Sequence, residues 1–276
     1  MRLTLPLAFV LAALMPASAH SFEPLSALDD AFAIPSPRSL AEGVLHYPGS
    51  ESLLRGTFVV LARSVPFGVE DLAVSTVSAG GCLGGVGVSL SYSGSGFDLY
   101  GDEQEKAGCS LLLGGGLSAG ARLTRNAVRF KGFGEASAWS ADIGAVWHHA
   151  SAVYIGASLE DIARAKLGES REPLDGCARA SFAWAPVGGA ALFASVTKVR
   201  RFDPSVSAGC MIEASSALLL GAAAGNEPDR IDFLAVVTVR GARFSYRGSF
   251  HRDLGFSHGF SLGWGGAGRI ASPRSE

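Results

Sequence analysis

Four cysteines, a pair of histidines and three closely spaced arginines are the residues of this chain that could do chemistry. Cys82, Cys109, Cys177 and Cys210 stand far apart in the sequence. None belongs to a Cys-x-x-Cys pair, so no zinc or other metal site is expected. Two readings stay open for them. They are small, weakly polar strand residues, or one pair such as Cys82 and Cys109 is bridged, which requires adjacent strands in register. His251 and His258 flank a turn near the C-terminus, with Ser249 and Asp253 close by. A hydrolase would need a serine and an acid converging on one histidine. The simpler reading makes Asp253 a turn residue and His251 a polar group beside it, with no enzymatic centre and no cofactor. Arg240, Arg243 and Arg247 recur within a short stretch. Guanidinium groups grip carboxylates through a bidentate fork, so these three could hold an anionic head group. Arg240 and Arg243 also flank Gly241, where either could serve the turn.

The composition limits what can position these groups. Of 276 residues, 48% are hydrophobic and only 17% charged, against about a quarter charged in an ordinary soluble domain. Thirty-six glycines are roughly twice the usual share. Mean hydropathy is +0.28. Such a chain is too apolar to be disordered. With 23 Lys and Arg against 25 Asp and Glu, it lacks the basic excess of a nucleic-acid binder, and no nucleic-acid partner is expected. Arg2, an apolar run from Leu3 to Met15 and the Ala17-Ser18-Ala19 site read as a secretory signal peptide over residues 1–19. No later apolar run is long enough for a transmembrane helix. A membrane protein of this sequence must therefore span as a closed barrel.

From Thr57 onward the sequence alternates with a period of two, the mark of strands with two chemically different faces. Val86, Val88, Leu90 and Tyr92 share one face. The same face continues in Leu117, Ala119, Ala121 and Leu123, in Trp139, Ile143 and Trp147, in Phe182 and Trp184, and in Phe233, Val237 and Val239. Gly, Ser and isolated charges occupy the other. About fourteen runs centre near residues 59, 75, 87, 109, 120, 143, 155, 180, 195, 209, 220, 235, 246 and 260, each of roughly the length a transmembrane strand needs. An even number lets the sheet close. The expected fold is all-β, a transmembrane antiparallel β-barrel of about fourteen strands over residues 53–264. The stretch before it does not alternate and reads as irregular structure or short helical turns, and a polar tail over 265–276 follows. The apolar face should meet outer-membrane lipids. Aromatics near strand ends (Tyr92, Trp147, Trp184, Tyr246 and Trp264) should form an interfacial girdle. The glycine- and serine-rich face should line the lumen with Arg122, Asp142, His148, Arg179, Glu213, Asp232, Arg240, Arg243 and Arg247. By parity Cys109 and Cys210 face lipid and Cys177 faces the lumen. The connection from about Leu159 to Leu174 is the longest, and its charges (Asp161, Arg164, Lys166, Glu169, Arg171 and Glu172) mark it as solvent-exposed.

The C-terminal quarter, Tyr246-Arg247-Gly248-Ser249-Phe250-His251-Arg252-Asp253-Leu254-Gly255-Phe256-Ser257-His258-Gly259-Phe260-Ser261-Leu262, resembles the closing hairpin of PorV/PorQ-like outer-membrane proteins of the FadL, or long-chain fatty-acid transporter, superfamily. Val65-Pro66-Phe67-Gly68 is similar to that family's Pro-x-Gly turn after the first strand. Leu45-His46-Tyr47-Pro48-Gly49 is a weak echo of its Asn-Pro-Ala segment, and Leu218 to Gly225 resembles the strand before the last three. The resemblance implies a fourteen-stranded barrel in the outer membrane of a diderm bacterium, with its N-terminal segment, residues 20–52, folded into the lumen as a short plug or hatch. It also implies one of two roles. One is a channel for hydrophobic or small amphipathic molecules, with an apolar pocket between the plug (Phe22, Leu25, Phe32, Ile34 and Leu40) and the wall. The other is a non-conducting accessory of protein secretion or surface attachment. Arg240, Arg243, Arg247, Phe32 and Ile34 are the candidate ligand-binding residues.

Overall fold

The computed structural model describes residues 32, 46–54, 56–149, 152–168, 172–187, 189–226 and 229–265. The signal-peptide expectation, those for Phe22, Leu25, Ile34 and Leu40, and that for the tail beyond residue 265 lie outside the described residues. The strands are β1 (Gly56–Val65), β2 (Val74–Leu83), β3 (Val86–Phe97), β4 (Tyr100–Gly114), β5 (Leu117–Phe130), β6 (Gly134–His149) and β7 (Val153–Leu159). A two-residue ribbon of β8 (Lys166–Leu167) and β9 (Glu172–Pro173) follows. Then come β10 (Cys177–Val187), β11 (Ala190–Val199), β12 (Ser205–Ser215), β13 (Leu218–Asn226), β14 (Asp229–Val239), β15 (Ala242–His251) and β16 (Gly255–Gly265). All but the ribbon form one closed antiparallel barrel of fourteen strands, in which β1 pairs with β2 on one side and β16 on the other. Closure leaves no open edge, the condition for burying backbone polar groups in lipid.

Each of the fourteen centres read from periodicity falls inside a barrel strand. The faces also follow parity. Val88, Leu90, Trp139, Phe233 and Phe260 point outward, while Ser78, Ser110, Ser118, Arg122, Asp142 and Asp232 are buried inside. The reason is elementary: a strand turns successive side chains to opposite faces, so one apolar and one small or polar set sort themselves between lipid and lumen.

β1 begins and β16 ends at the same rim, where successive strands are separated by only two or three residues. Short turns are the periplasmic mark of such barrels. The opposite rim carries the longest connection, residues 160–176. Trp147, Trp184 and Trp264 stand in the last few residues of β6, β10 and β16 at the short-turn rim, as a girdle requires. Tyr246 does not: it lies mid-wall on β15, opposite Ala235 and Phe260, and its hydroxyl shares a 3.0 Å hydrogen bond with His258 Nδ1. The 160–176 connection is not wholly solvated either. Asp161 is buried, its backbone N–H donates to Asp142 Oδ1 at 2.9 Å, and its own carboxylate accepts from Ala165 N at 2.8 Å. The connection is thus tied to the inner wall of β6.

Candidate functional site

The plug enters the lumen immediately before β1. Residues 46–54 contain one turn of 3₁₀ helix, Ser50–Leu53. Gly49 precedes it with φ of 114°, a backbone conformation that favours glycine. Glu51 closes the turn on itself, accepting from Gly49 N at 2.8 Å, and Ser50 Oγ donates to Tyr47 O at 2.7 Å.

What holds this segment is a row of small luminal residues crossing six strands. The register places Cys82 beside Gly87, Gly87 beside Ser110, Ser110 beside Gly120, Gly120 beside Gly144, and Gly144 beside Ser158. At the glycines of this row the plug lies at distances no side chain would allow. A Cβ on Gly87 would fall against Ser52 N and within 2.5 Å of the Glu51 carbonyl carbon. One on Gly120 would lie 2.5 Å from Gly49 N, and one on Gly144 2.5 Å from Pro48 O. The serines between them supply polar contacts. Ser110 Oγ accepts from Ser52 N at 2.9 Å, Ser89 Oγ donates to Glu51 Oε1 at 2.9 Å, and Ser118 Oγ bonds Gly49 O and Ser52 Oγ. Glu51 is fully buried, and these bonds compensate its carboxylate. Tyr47, Leu53 and Leu54 pack with Phe58, Val60 and Val146 of the wall.

At the other end of the row, Arg179 holds His46. Its guanidinium approaches His46 Nδ1 at 3.0 Å, Thr197 Oγ1 at 3.4 Å and Glu160 Oε1 at 3.6 Å. Burial first, and then the charges of Arg179, Lys106, Arg122 and Arg247, hold the His46 imidazole well below its usual range. The neutral ring is therefore the acceptor that Arg179 needs.

The wall facing this seat is different. Tyr154, Ala183, Ala191, Phe193, Met211, Leu219, Ala223, Leu234 and Val236 form one buried apolar cluster on β7 and β10–β14. Phe32, from the N-terminal segment, is inserted into it. Its ring meets Phe193 edge-on at 5.5 Å between centroids.

The candidate residues distribute unevenly. Phe32 is in the lumen, and Arg243 and Arg247 point inward from β15, as Ser245 between them does. Arg240 does not join them: it sits exposed in the β14–β15 turn with φ of 50°. Arg243 and Arg247 are four residues apart on one strand, about 13 Å by strand geometry, so the three do not make one patch. Glu213 shares luminal parity but stands exposed at the short-turn rim, where β12 bulges against β13. His251 Nδ1 accepts from Asp253 N and Leu254 N at 3.1 Å each, which closes the last turn. His258 points outward toward Tyr246, so the two histidines with Ser249 assemble no common centre. All four cysteines are free thiols. Cys82 and Cys109 are on β2 and β4, with β3 between them, which excludes the bridge. Cys109 is exposed on the outer wall, and Cys82 Sγ donates to Ser52 O under the plug at 3.4 Å. The glycine row and Glu51 were not singled out from sequence. The signal was present in the shared luminal parity of Gly87, Gly120 and Gly144.

This fold is that of an outer-membrane β-barrel: closed, fourteen-stranded, apolar outside and plugged within. No protein-family model matches the sequence, and no curated protein matches it. Solved structures share the fold. The toluene transporter TodX of P. putida aligns with a TM-score of 0.58 at 10% identity, covering 80% of this chain and 91% of that one. The monoaromatic hydrocarbon channel CymD aligns at 0.56 with 9% identity over 81% and 91%. A FadL homologue of Pseudomonas aeruginosa aligns at 0.53 with 10% identity over 80% and 93%.

Proposed function

We propose that this chain is a plugged outer-membrane channel of the FadL-like kind, passing hydrophobic or small amphipathic molecules. The observation that carries the reading is the apolar cluster inside the barrel. Inward-facing Phe193, Met211, Leu219, Leu234 and Val236 have no role in a water-filled pore, and the plug is held on the other wall. A hydrophobic molecule is the solute such a wall suits. The names of TodX and CymD, a toluene transporter and a monoaromatic hydrocarbon channel, support the same class. Phe32 and Ile34 would offer apolar contact, and the inward-facing Arg243 and Arg247 would meet an anionic group on an amphipathic solute.

The PorV/PorQ-like closing hairpin favours a second reading, a non-conducting accessory of protein secretion or surface attachment. The close fit of Tyr47 and Glu51, neither of them exposed, agrees with a permanently filled lumen. Uptake of radiolabelled toluene and of a fatty acid into proteoliposomes separates the two. A channel takes up at least one of them faster than protein-free liposomes. Uptake at the protein-free rate for both would refute the channel.

A further inference from the structure

We propose that the outer wall of β2–β6 carries a binding site for a glycolipid of the outer leaflet, a phosphorylated and acylated sugar of the lipid A kind. The site has an apolar lower half and a polar upper half on one continuous surface. It does not depend on what the lumen passes.

The lower half is a groove of about 420 Å³ in the lipid-facing wall. Register places Ala79 beside Leu90, Leu90 beside Ala107, and Ala107 beside Leu123. Ala107 is thus a floor between two leucine ridges, and the floor continues down β4 to the exposed Cys109. An acyl chain in such a groove gains dispersion contacts on three sides. Tyr92 and Trp139 line its upper end. Trp139 precedes Trp147 of the short-turn girdle by eight residues on β6, about 26 Å along a strand and about 20 Å in height at the usual tilt. That is close to the height of the apolar band, so Trp139 and Tyr92 stand at the outer-leaflet interface.

Above that level the same strands turn polar groups outward. β4, β5 and β6 are the three longest strands of the barrel, which lifts these groups clear of the hydrocarbon. Arg125, beside Trp139 and Glu105, is held between Glu105 Oε1 at 3.4 Å and Glu135 Oε1 at 2.9 Å. Among the described residues, Arg129 and Glu103 form no ion pair. Gly94 and Gly101 keep the wall between them flat: the Tyr92 hydroxyl lies over Gly94, and the Arg129 guanidinium over Gly101. Donors and acceptors are therefore interleaved. A bare phosphate would suit only the donors. A phosphorylated sugar suits both, because each hydroxyl donates and accepts while a phosphate takes a guanidinium. The polar face also rises too far for a glycerophospholipid. Arg129 stands four residues above Arg125, about 13 Å along the strand and about 10 Å in height. A single phosphate seated on glycerol does not cover that span, and a phosphorylated disaccharide does.

The test uses the full refolded chain in detergent, titrated with diphosphoryl lipid A and separately with phosphatidylglycerol, bound lipid being counted by native mass spectrometry. Lipid A is expected to bind at least fivefold more tightly. Ala107→Phe, which fills the groove, and Arg129→Glu, which reverses the upper charge, should each weaken lipid A binding at least fivefold. Ala235→Phe, on the far wall of the barrel, should leave it unchanged. All three positions face outward, and the heat-modifiable gel shift verifies each barrel. If one of the two site variants fails to fold, the other still decides. Equal binding of the two lipids by the unmutated protein would overturn the site, and so would unchanged lipid A binding in either site variant that folds.

Discussion

Replacing Gly87 by alanine should lift the plug from its seat while leaving the barrel intact. The nearest atoms to the new Cβ all belong to the plug: Ser52 N, the Glu51 carbonyl carbon at 2.5 Å and Glu51 Cβ at 2.6 Å. Two of these are backbone atoms, so the segment must move by about 1 Å to restore ordinary contact. Overpacking of this kind costs about 1–3 kcal/mol, a shift of ~5–150-fold in the balance between seated and released plug at 1.4 kcal/mol per tenfold. If the movement also breaks the bond from Ser89 Oγ to the Glu51 carboxylate, a further ~1.5–3 kcal/mol goes with it, and the shift grows by another ~10–150-fold. Cys82 reports the outcome, because its thiol lies under the plug and donates to Ser52 O. In a Cys109→Ser, Cys177→Ser, Cys210→Ser background, a charged maleimide should label Cys82 slowly, and Gly87→Ala should accelerate labelling at least fivefold. The heat-modifiable gel shift of the barrel should persist. Equal labelling rates with and without Gly87→Ala would show that the glycine row does not seat the plug, and loss of the gel shift would show that it serves the barrel instead.

Three further outcomes are expected. Denatured protein without reductant should titrate four thiols, and a count of two would reveal a disulfide that the register excludes. Asp142→Ala should free the 160–176 connection, because Asp142 accepts from Asp161 N and Thr124 Oγ1 at 2.9 Å each and each bond to a charged carboxylate contributes about 1.5–3 kcal/mol. Trypsin should then cut faster at Arg164 and Lys166, and an unchanged digestion rate would refute the anchoring. The seated His46 resists protonation because of burial and the cations around it, whereas the released imidazole does not. The released state therefore binds more protons as the pH falls below about 6.5, the ordinary imidazole value. Plug seating should weaken through that range, down to the lowered pKa of the seated form. Conductance in planar bilayers should rise between pH 7.5 and 5, and His46→Gln, which keeps a neutral acceptor, should flatten the rise.

Much of this molecule is legible without coordinates because the physics that places its side chains is local. Alternation of two residue sets needs only the pleat of a strand. It locates the strand centres and puts Cys109 outside, and it turns Arg122 and Asp142 inward. The errors fall where local rules stop. Arg240 continues the rhythm of β14 by one residue but lies in the turn, since a two-residue hairpin has to begin somewhere that periodicity does not mark. Tyr246 looks like a girdle residue because aromatics cluster near it, yet its height on the wall depends on the stagger between β15 and its neighbours. Asp161 reads as a solvated loop charge because nothing nearby in sequence shows that its backbone ends on Asp142.

The sequence by itself determined the class of structure, the strands, their two faces and the presence of a segment left over for the lumen. Only the tertiary structure decided where that segment rests. Gly87, Gly120 and Gly144 are separated by dozens of residues and meet Glu51, Gly49 and Pro48 only when strand register aligns them in one row. The same closure sets Phe32 against Gly221, nearly two hundred residues away in the chain. Register and closure are cooperative properties of the whole sheet, so these meetings have no signature in any single stretch of sequence.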